Sequence, residues 1–169
     1  MQAARRGDRA AFGALYERHV RLVHGVLLAR AAAYDVDDLV QEAFVTAWRR
    51  LGELREAGSF AAWVVAIARN VSVDHHRKSL RVLGPKDAMP VDREIPSAAA
   101  PDAPAEARAA LDAIRELPVA YRETLVLRLV EGLTGPEIAE RAGLDHGSVR
   151  VNLHRGMKLL RERLLGAAS

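Results

Sequence analysis

The sequence predicts an all-α fold: two small helical domains joined by a Pro-rich flexible linker, the second containing a helix–turn–helix. Three observations carry this expectation. Ala, Leu, Arg and Glu dominate the 169 residues, and apolar side chains recur at three- and four-residue steps rather than in alternation. Five of the seven prolines, Pro85, Pro90, Pro96, Pro101 and Pro104, fall between Leu83 and Pro104. Their fixed φ and missing N–H defeat a continuous helix there. The last 36 residues have the spacing of two short-turned helices. The expected organisation is a first domain over 1–82, a linker over 83–104 and a second domain over 105–169.

In the first domain, Phe12, Leu15, Tyr16, His19, Leu22, Val23, Val26 and Leu27 mark amphipathic helix over about 8–32, with Asp8 as its cap. Asp35 or Asp37 is expected to cap a second segment, about 36–50. Its stripe is Leu39, Val40, Ala43, Phe44, Ala47, Trp48 and Leu51. A loop from Gly52 to Gly58 follows. Ser59 is a natural N-cap for a helix from Phe60 to about Ser79, with Phe60, Trp63, Val64, Ile67, Ala68 and Val71 on one face. Trp48 and Trp63 sit in apolar stripes, so packing accounts for them better than stacking on a ligand.

The second domain opens with a short helix from Glu106 to Glu116. Leu117-Pro118 starts another, running to about Glu131, and Gly132 ends it. Thr134-Gly135-Pro136-Glu137 reads as a capping box. The helix it caps reaches Ala142. Gly143 supplies a left-handed turn, and a last helix runs from Asp145 to about Leu165. Val149 faces the helix before it. Asn152 stands where a minimal helix–turn–helix template has an apolar residue, and Leu153 takes the packing role one residue later. Arg150, Val151, His154, Arg155 and Lys158 fall at helical spacing on the last helix. Such a face enters a major groove, with its first side chains on base edges and later ones on phosphates.

Charge and composition exclude several classes. The net charge is +3, divided as +4 over 1–82, −2 over 83–104 and +1 over 105–169. That average names no partner. There is no cysteine, which removes disulfide, iron–sulfur, thiolate-zinc and cysteine-nucleophile chemistry. No nucleophile elbow, P-loop, metal-ligand helix or Gly-rich cofactor loop is present, so no catalytic residue and no cofactor are expected. Asp74-His75-His76 is not read as a metal site, because adjacent helix residues point about 100° apart. No secretory signal and no apolar run of spanning length are visible, so a cytoplasmic protein without membrane insertion is expected.

Several motifs resemble a known family. Leu117-Pro118, Arg122-Glu123, Gly132-Leu133-Thr134, Glu137-Ile138-Ala139-Glu140, Gly143-Leu144, Gly147-Ser148-Val149-Arg150 and the run Leu153 to Arg161 look like one of its regions. They resemble the C-terminal promoter-binding region of extracytoplasmic-function (ECF) sigma factors of bacterial RNA polymerase, members of the sigma-70 family. Gly156 departs from the family's usual alanine. Asp37 to Phe44 with Ala47-Trp48 resembles the family's polymerase-docking helix. Phe60 to Asn70 with Asp74, His75 and Arg77 resembles its −10-reading helix.

The resemblance implies a fold of two helical domains and a role in promoter-specific initiation, without enzymatic activity. It implies core RNA polymerase, through its clamp helices and flap, and promoter DNA as partners. It also implies an anti-sigma factor, since one that clamps both domains is common in the family. Docking falls on Asp38, Gln41, Glu42 and Phe44. Contacts at −10 fall on Leu54, Arg55, Glu56, Gly58, Arg69, Asn70, Asp74, Arg77 and Lys78. Contacts at −35 fall on Ser148, Arg150, Val151, His154, Arg155 and Lys158. From the residues alone, a stand-alone helix–turn–helix repressor or activator remains the competing reading. It predicts tight operator binding by the isolated protein.

Overall fold

The computed structural model describes residues 1–83 and 105–166, all of it helix, short 3-10 turn or loop. Apart from Leu83, the predicted linker 83–104 lies outside the described residues. A one-turn helix α1 (Gln2–Arg5) precedes α2 (Arg9–Leu28), α3 (Ala33–Arg50) and α4 (Phe60–Leu83), which form the first module. The second comprises α5 (Ala105–Arg115), α6 (Val119–Leu129), α7 (Gly135–Ala142) and α8 (His146–Gly166).

Local chemistry sets the helix ends. Asp8 caps α2, its carboxylate accepting from the Ala11 N–H at 3.0 Å. Thr134 and Glu137 close the capping box of α7 in both directions. Gly143 ends α7 at φ +63°, where a side chain would be strained.

Three expectations about ends do not hold. Neither Asp35 nor Asp37 caps α3, which begins at Ala33 with Ala32 in the cap position and no side-chain bond. Asp35 instead stands in the first turn, favourable to the helix dipole, and takes His75 Nε2 of α4 at 3.1 Å. Ser59 does not cap α4. Its hydroxyl donates to the Glu56 carbonyl at 2.7 Å inside a 3-10 turn, Ala57–Ser59. And α4 continues past Ser79 to Leu83, one residue beyond the expected domain boundary.

The apolar stripes meet as the periodicity requires. Val23 and Leu27 of α2, Leu39, Ala43 and Ala47 of α3, and Phe60, Val64 and Ala68 of α4 fill the first module's interior. In the second, α6 lies under α8, and Gly156 is where they approach. A methyl group there would come 3.1 Å from Leu125 Cδ1 and 3.3 Å from Tyr121 Cβ. Arg122 is 1% exposed, with Nη1 donating to the Arg115 carbonyl at 3.1 Å. Leu153 packs against the core, and Asn152 is half-buried.

The two modules also pack on each other. Leu22, Val26 and Val65 of the first share one buried cluster with Leu127, Ile138, Ala139, Ala142 and Val149 of the second. Gly25 in the last turn of α2 permits it. A methyl group there would come 2.9 Å from Glu131 Cγ and 3.1 Å from Leu127 Cδ2 of the other module. Gly143 makes a similar approach, where a methyl group would stand 3.1 Å from Ala62 Cβ on α4.

Candidate nucleic-acid interface

α8 builds its outer face from a single register. Asp145 precedes it, accepting the Ser148 N–H at 2.8 Å. That backbone hydrogen bond, then the bond to the Ser148 side chain, holds the Asp145 carboxyl below its ordinary value. Val149 turns inward, 1% exposed, and so rotates its neighbours outward. Ser148, Arg150, Val151, His154, Arg155 and Lys158 are all exposed, and Val151 keeps 40% of its surface. Lys158 reaches Glu162 only at 4.0 Å, and both side chains are solvated. The result is a mostly cationic helix face with one apolar contact point. Such a face offers bidentate donors for guanine, a methyl-sized apolar contact for thymine and amides for phosphate at the helix start.

On α4 the polar residues split between two faces. Asn70, Asp74, Arg77 and Lys78 are exposed, with Arg77 and Asp74 loosely paired at 3.5 Å. Arg69 lies on the row that faces the second module. Its Nε donates to Glu123 Oε1 at 3.2 Å, and its Nη2 donates to the Ala142 carbonyl at 2.9 Å. The loop before α4 presents Arg55, Glu56 and Gly58 to solvent. Leu54 does not belong with them. It is 4% exposed and part of the core, so it anchors the loop from below.

On α3, Asp38, Gln41 and Glu42 are exposed. Phe44 is not available for contact, being 3% exposed. Its ring meets Phe12 edge-on at 6.4 Å and Tyr16 at 4.7 Å. Phe44 thereby forms the floor of a groove of about 560 Å³ between α2 and α3, rimmed by Tyr16, Asp37, Gln41, Val45 and Trp48. Trp48 packs edge-on against Phe12 at 4.8 Å, and Trp63 lies beside Phe60 at 5.9 Å. Among the described residues no cluster of His, Asp and Glu is placed to hold a metal ion.

Sequence reasoning missed Glu123. It is 3% exposed and accepts from Arg30 Nε, in the turn after α2, at 2.9 Å as well as from Arg69. Its partners lie 93 and 54 residues away, and no spacing rule reaches that far. Gly25, a helix-breaking residue amid an apolar stripe, was the one local sign of a close neighbour.

The helical scaffold thus offers two charged surfaces, an exposed cationic face on α8 and an exposed acidic turn on α3. Residues 15–82 match the sigma-70 region 2 model, and residues 107–160 match the sigma-70 region 4 model. The chain is 34% identical to the RNA polymerase sigma factor CarQ of Myxococcus xanthus, across 97% of this chain and 95% of that one. It superposes on the solved structure of CnrH in complex with the cytosolic domain of CnrY with a TM-score of 0.66 and 29% identity. That match covers 99% of this chain and 95% of that one. It shares its fold with RpoE of Bartonella quintana, solved with the anti-sigma factor NepR, at a TM-score of 0.70 and 20% identity. There 91% of this chain and 96% of that one are covered. The chain belongs to the ECF group of the sigma-70 family and is an RNA polymerase sigma factor.

Proposed function

We propose that the three exposed faces divide the work of initiation. Core polymerase receives α3 through Asp38, Gln41 and Glu42, with an apolar side chain of its clamp helices entering the aromatic-floored groove. Arg55, Glu56, Gly58, Asn70 and Asp74 read the opened −10 element, while Arg69, Arg77 and Lys78 hold its phosphates. α8 reads −35 duplex through Arg150, Val151, His154 and Arg155, with Ser148 and Lys158 on the backbone. The polymerase flap carries the second module to that duplex. Sigma factors are initiation factors, so bond formation belongs to the polymerase, and this chain contributes position and sequence choice. Its place of action is the cytoplasm.

The observation that carries this reading is the outer face of α8. Every residue expected at −35 is exposed there, and Val149 fixes the register. Transcription in vitro with core polymerase on a promoter library is the test. The chain should select a two-part promoter only when polymerase is present. Tight, polymerase-independent binding to a palindrome would instead favour a stand-alone regulator. Arg150→Ala should cost about 1–3 kcal/mol and relax one −35 position. A uniform loss across sequences would make it a phosphate contact. Glu42→Lys should abolish polymerase docking, measured by co-elution, and leave the fold unchanged. RpoE and CnrH were each solved with a protein partner. By analogy, an anti-sigma partner that grips both modules is part of this proposal.

A further inference from the structure

We infer that base choice at one −10 position is set by residues that never touch DNA. Arg50, Glu53 and Ser59 are positioning residues that hold the loop between α3 and α4 in one shape. Arg55, Glu56 and Gly58 then meet the opened strand already arranged. The inference deepens the function proposed above and rests on it, namely on this loop receiving a base of the −10 element.

The loop has little reason of its own to be ordered. Gly52 and Gly58 bound it. Neither has a positive φ, and among the described residues a methyl group at either would meet nothing within 4 Å. Turn geometry and close packing therefore do not demand them, and each leaves the chain freer than alanine would. A loop left free loses that freedom only on binding, and adapts to whichever base arrives.

Clamps on both flanks remove the freedom beforehand. Arg50 is the last residue of α3, and Glu53 closes the short 3-10 turn after it, Leu51–Glu53. Arg50 Nε donates to Glu53 Oε1 at 3.1 Å and to Oε2 at 3.0 Å, and Nη2 donates to Oε2 at 2.7 Å. Two guanidinium nitrogens on both oxygens of one carboxylate separate a specific pair from a loose surface one. The bond from Arg50 holds the Glu53 carboxyl below its ordinary value, so both partners are charged near neutral pH. Leu51 and Leu54 are buried and pin the same stretch from below. Arg5 of α1 adds a longer bond, Nε to the Leu51 carbonyl at 3.4 Å. On the α4 side, the Glu56 carbonyl accepts the Ser59 hydroxyl at 2.7 Å and the Ser59 N–H at 3.1 Å. Arg55 is left exposed at the apex between two fixed flanks.

A preformed receptacle discriminates where a pliant one does not. A fixed backbone offers donors and acceptors at one spacing, so a base whose edge does not match leaves groups unpaired. A mobile loop re-packs around the mismatch. The contact residues supply the chemistry, and the Arg50–Glu53 pair supplies the selectivity.

Holoenzyme made from core polymerase and the full chain is assayed on a promoter library randomised over both elements. Arg50→Ala and Glu53→Ala should each flatten preference at one −10 position about 2- to 5-fold, the range of an exposed ion pair of ordinary strength. Preferences at −35 should not change. The two residues act as a unit, so the double alanine variant should lose no more than either single one. The charge swap Arg50→Glu with Glu53→Arg should recover part of the loss. If Arg50→Ala weakens all sequences alike and Glu53→Ala is neutral, Arg50 is a phosphate contact and the proposal is wrong. Loop order is read separately in the free chain. The chain lacks cysteine, so Arg55→Cys carries a single nitroxide at the apex. Arg50→Ala and Glu53→Ala should each sharpen its spectrum as the loop gains motion. Unchanged line shapes would overturn the clamp, and sharpened ones with unaltered base preference would overturn its role in selectivity. Arg55→Ala with Glu56→Ala on the same library tests the loop as a reader. Unaltered −10 preference there would overturn that reading, and the claim about base choice with it, while the spectra still report on the clamp.

Discussion

Glu137 does two jobs within one turn. It accepts the Thr134 N–H at 2.9 Å and the Thr134 hydroxyl at 2.8 Å, and these bonds hold its carboxyl below the ordinary value. Asp145 is lowered in the same way by Ser148. A depressed carboxylate contributes stability that is complete above its unfolded value and is lost as pH falls through its folded value. The helix–turn–helix should therefore weaken below about pH 4.5. Thr134→Ala should flatten that dependence and cost about 1 kcal/mol, read from the melting temperature across pH. His19 works on another window. Burial first, then Arg18 and Arg141, lower its value below 6.5. The folded chain thus resists protonating it, and stability present above pH 6.5 drains as pH falls below that point. Arg141 belongs to the second module, so part of this resistance comes from across the module contact. His19→Leu should remove the loss below pH 6.5 in thermal melts.

At the scale of helices, α8 carries Gly156 where alanine would be a better helix former. Gly156→Ala gains about 1 kcal/mol of propensity. It also drives a methyl group to 3.1 Å from Leu125, which is fully buried, and 3.3 Å from the Cβ of Tyr121. Neither can retreat easily, and overpacking costs about 1–3 kcal/mol. The melting temperature of Gly156→Ala should therefore not rise, and a clear rise would show that α6 yields.

The helices were readable from sequence wherever their signals were local. The Asp8 cap, the Thr134–Glu137 box and the Gly143 turn each depend on residues within four positions. The failures were local signals with two uses. Ser59 and Asp35 are good cap residues, but a 3-10 turn took one hydroxyl and His75 took the other carboxylate. Phe44 and Leu54 were expected at contacts only from the family resemblance, yet both face the core. Apart from Gly25, the contact between modules left no local sign, since Arg30, Arg69 and Glu123 meet only through tertiary structure.

For the whole molecule, the charge count takes on a sharper meaning. A net +3 averages over an exposed acidic turn on α3, a cationic face on α8 and ion pairs between the modules. Modules that share a buried cluster should melt together. Calorimetry of the parent chain should show one transition, and Glu123→Gln should split it into two. Two separate transitions in the parent would mean that the contact contributes little to stability.

The groove between α2 and α3 carries its own optical probe. Trp48 lines it, half-buried against Phe12, and Trp63 is the chain's other indole. Replacing Trp63 with Phe leaves Trp48, in the groove proposed for docking, as the chain's single tryptophan. When a clamp helix excludes water from the groove, Trp48 emission should move to shorter wavelength, so polymerase capture can be timed by stopped flow without attaching a dye.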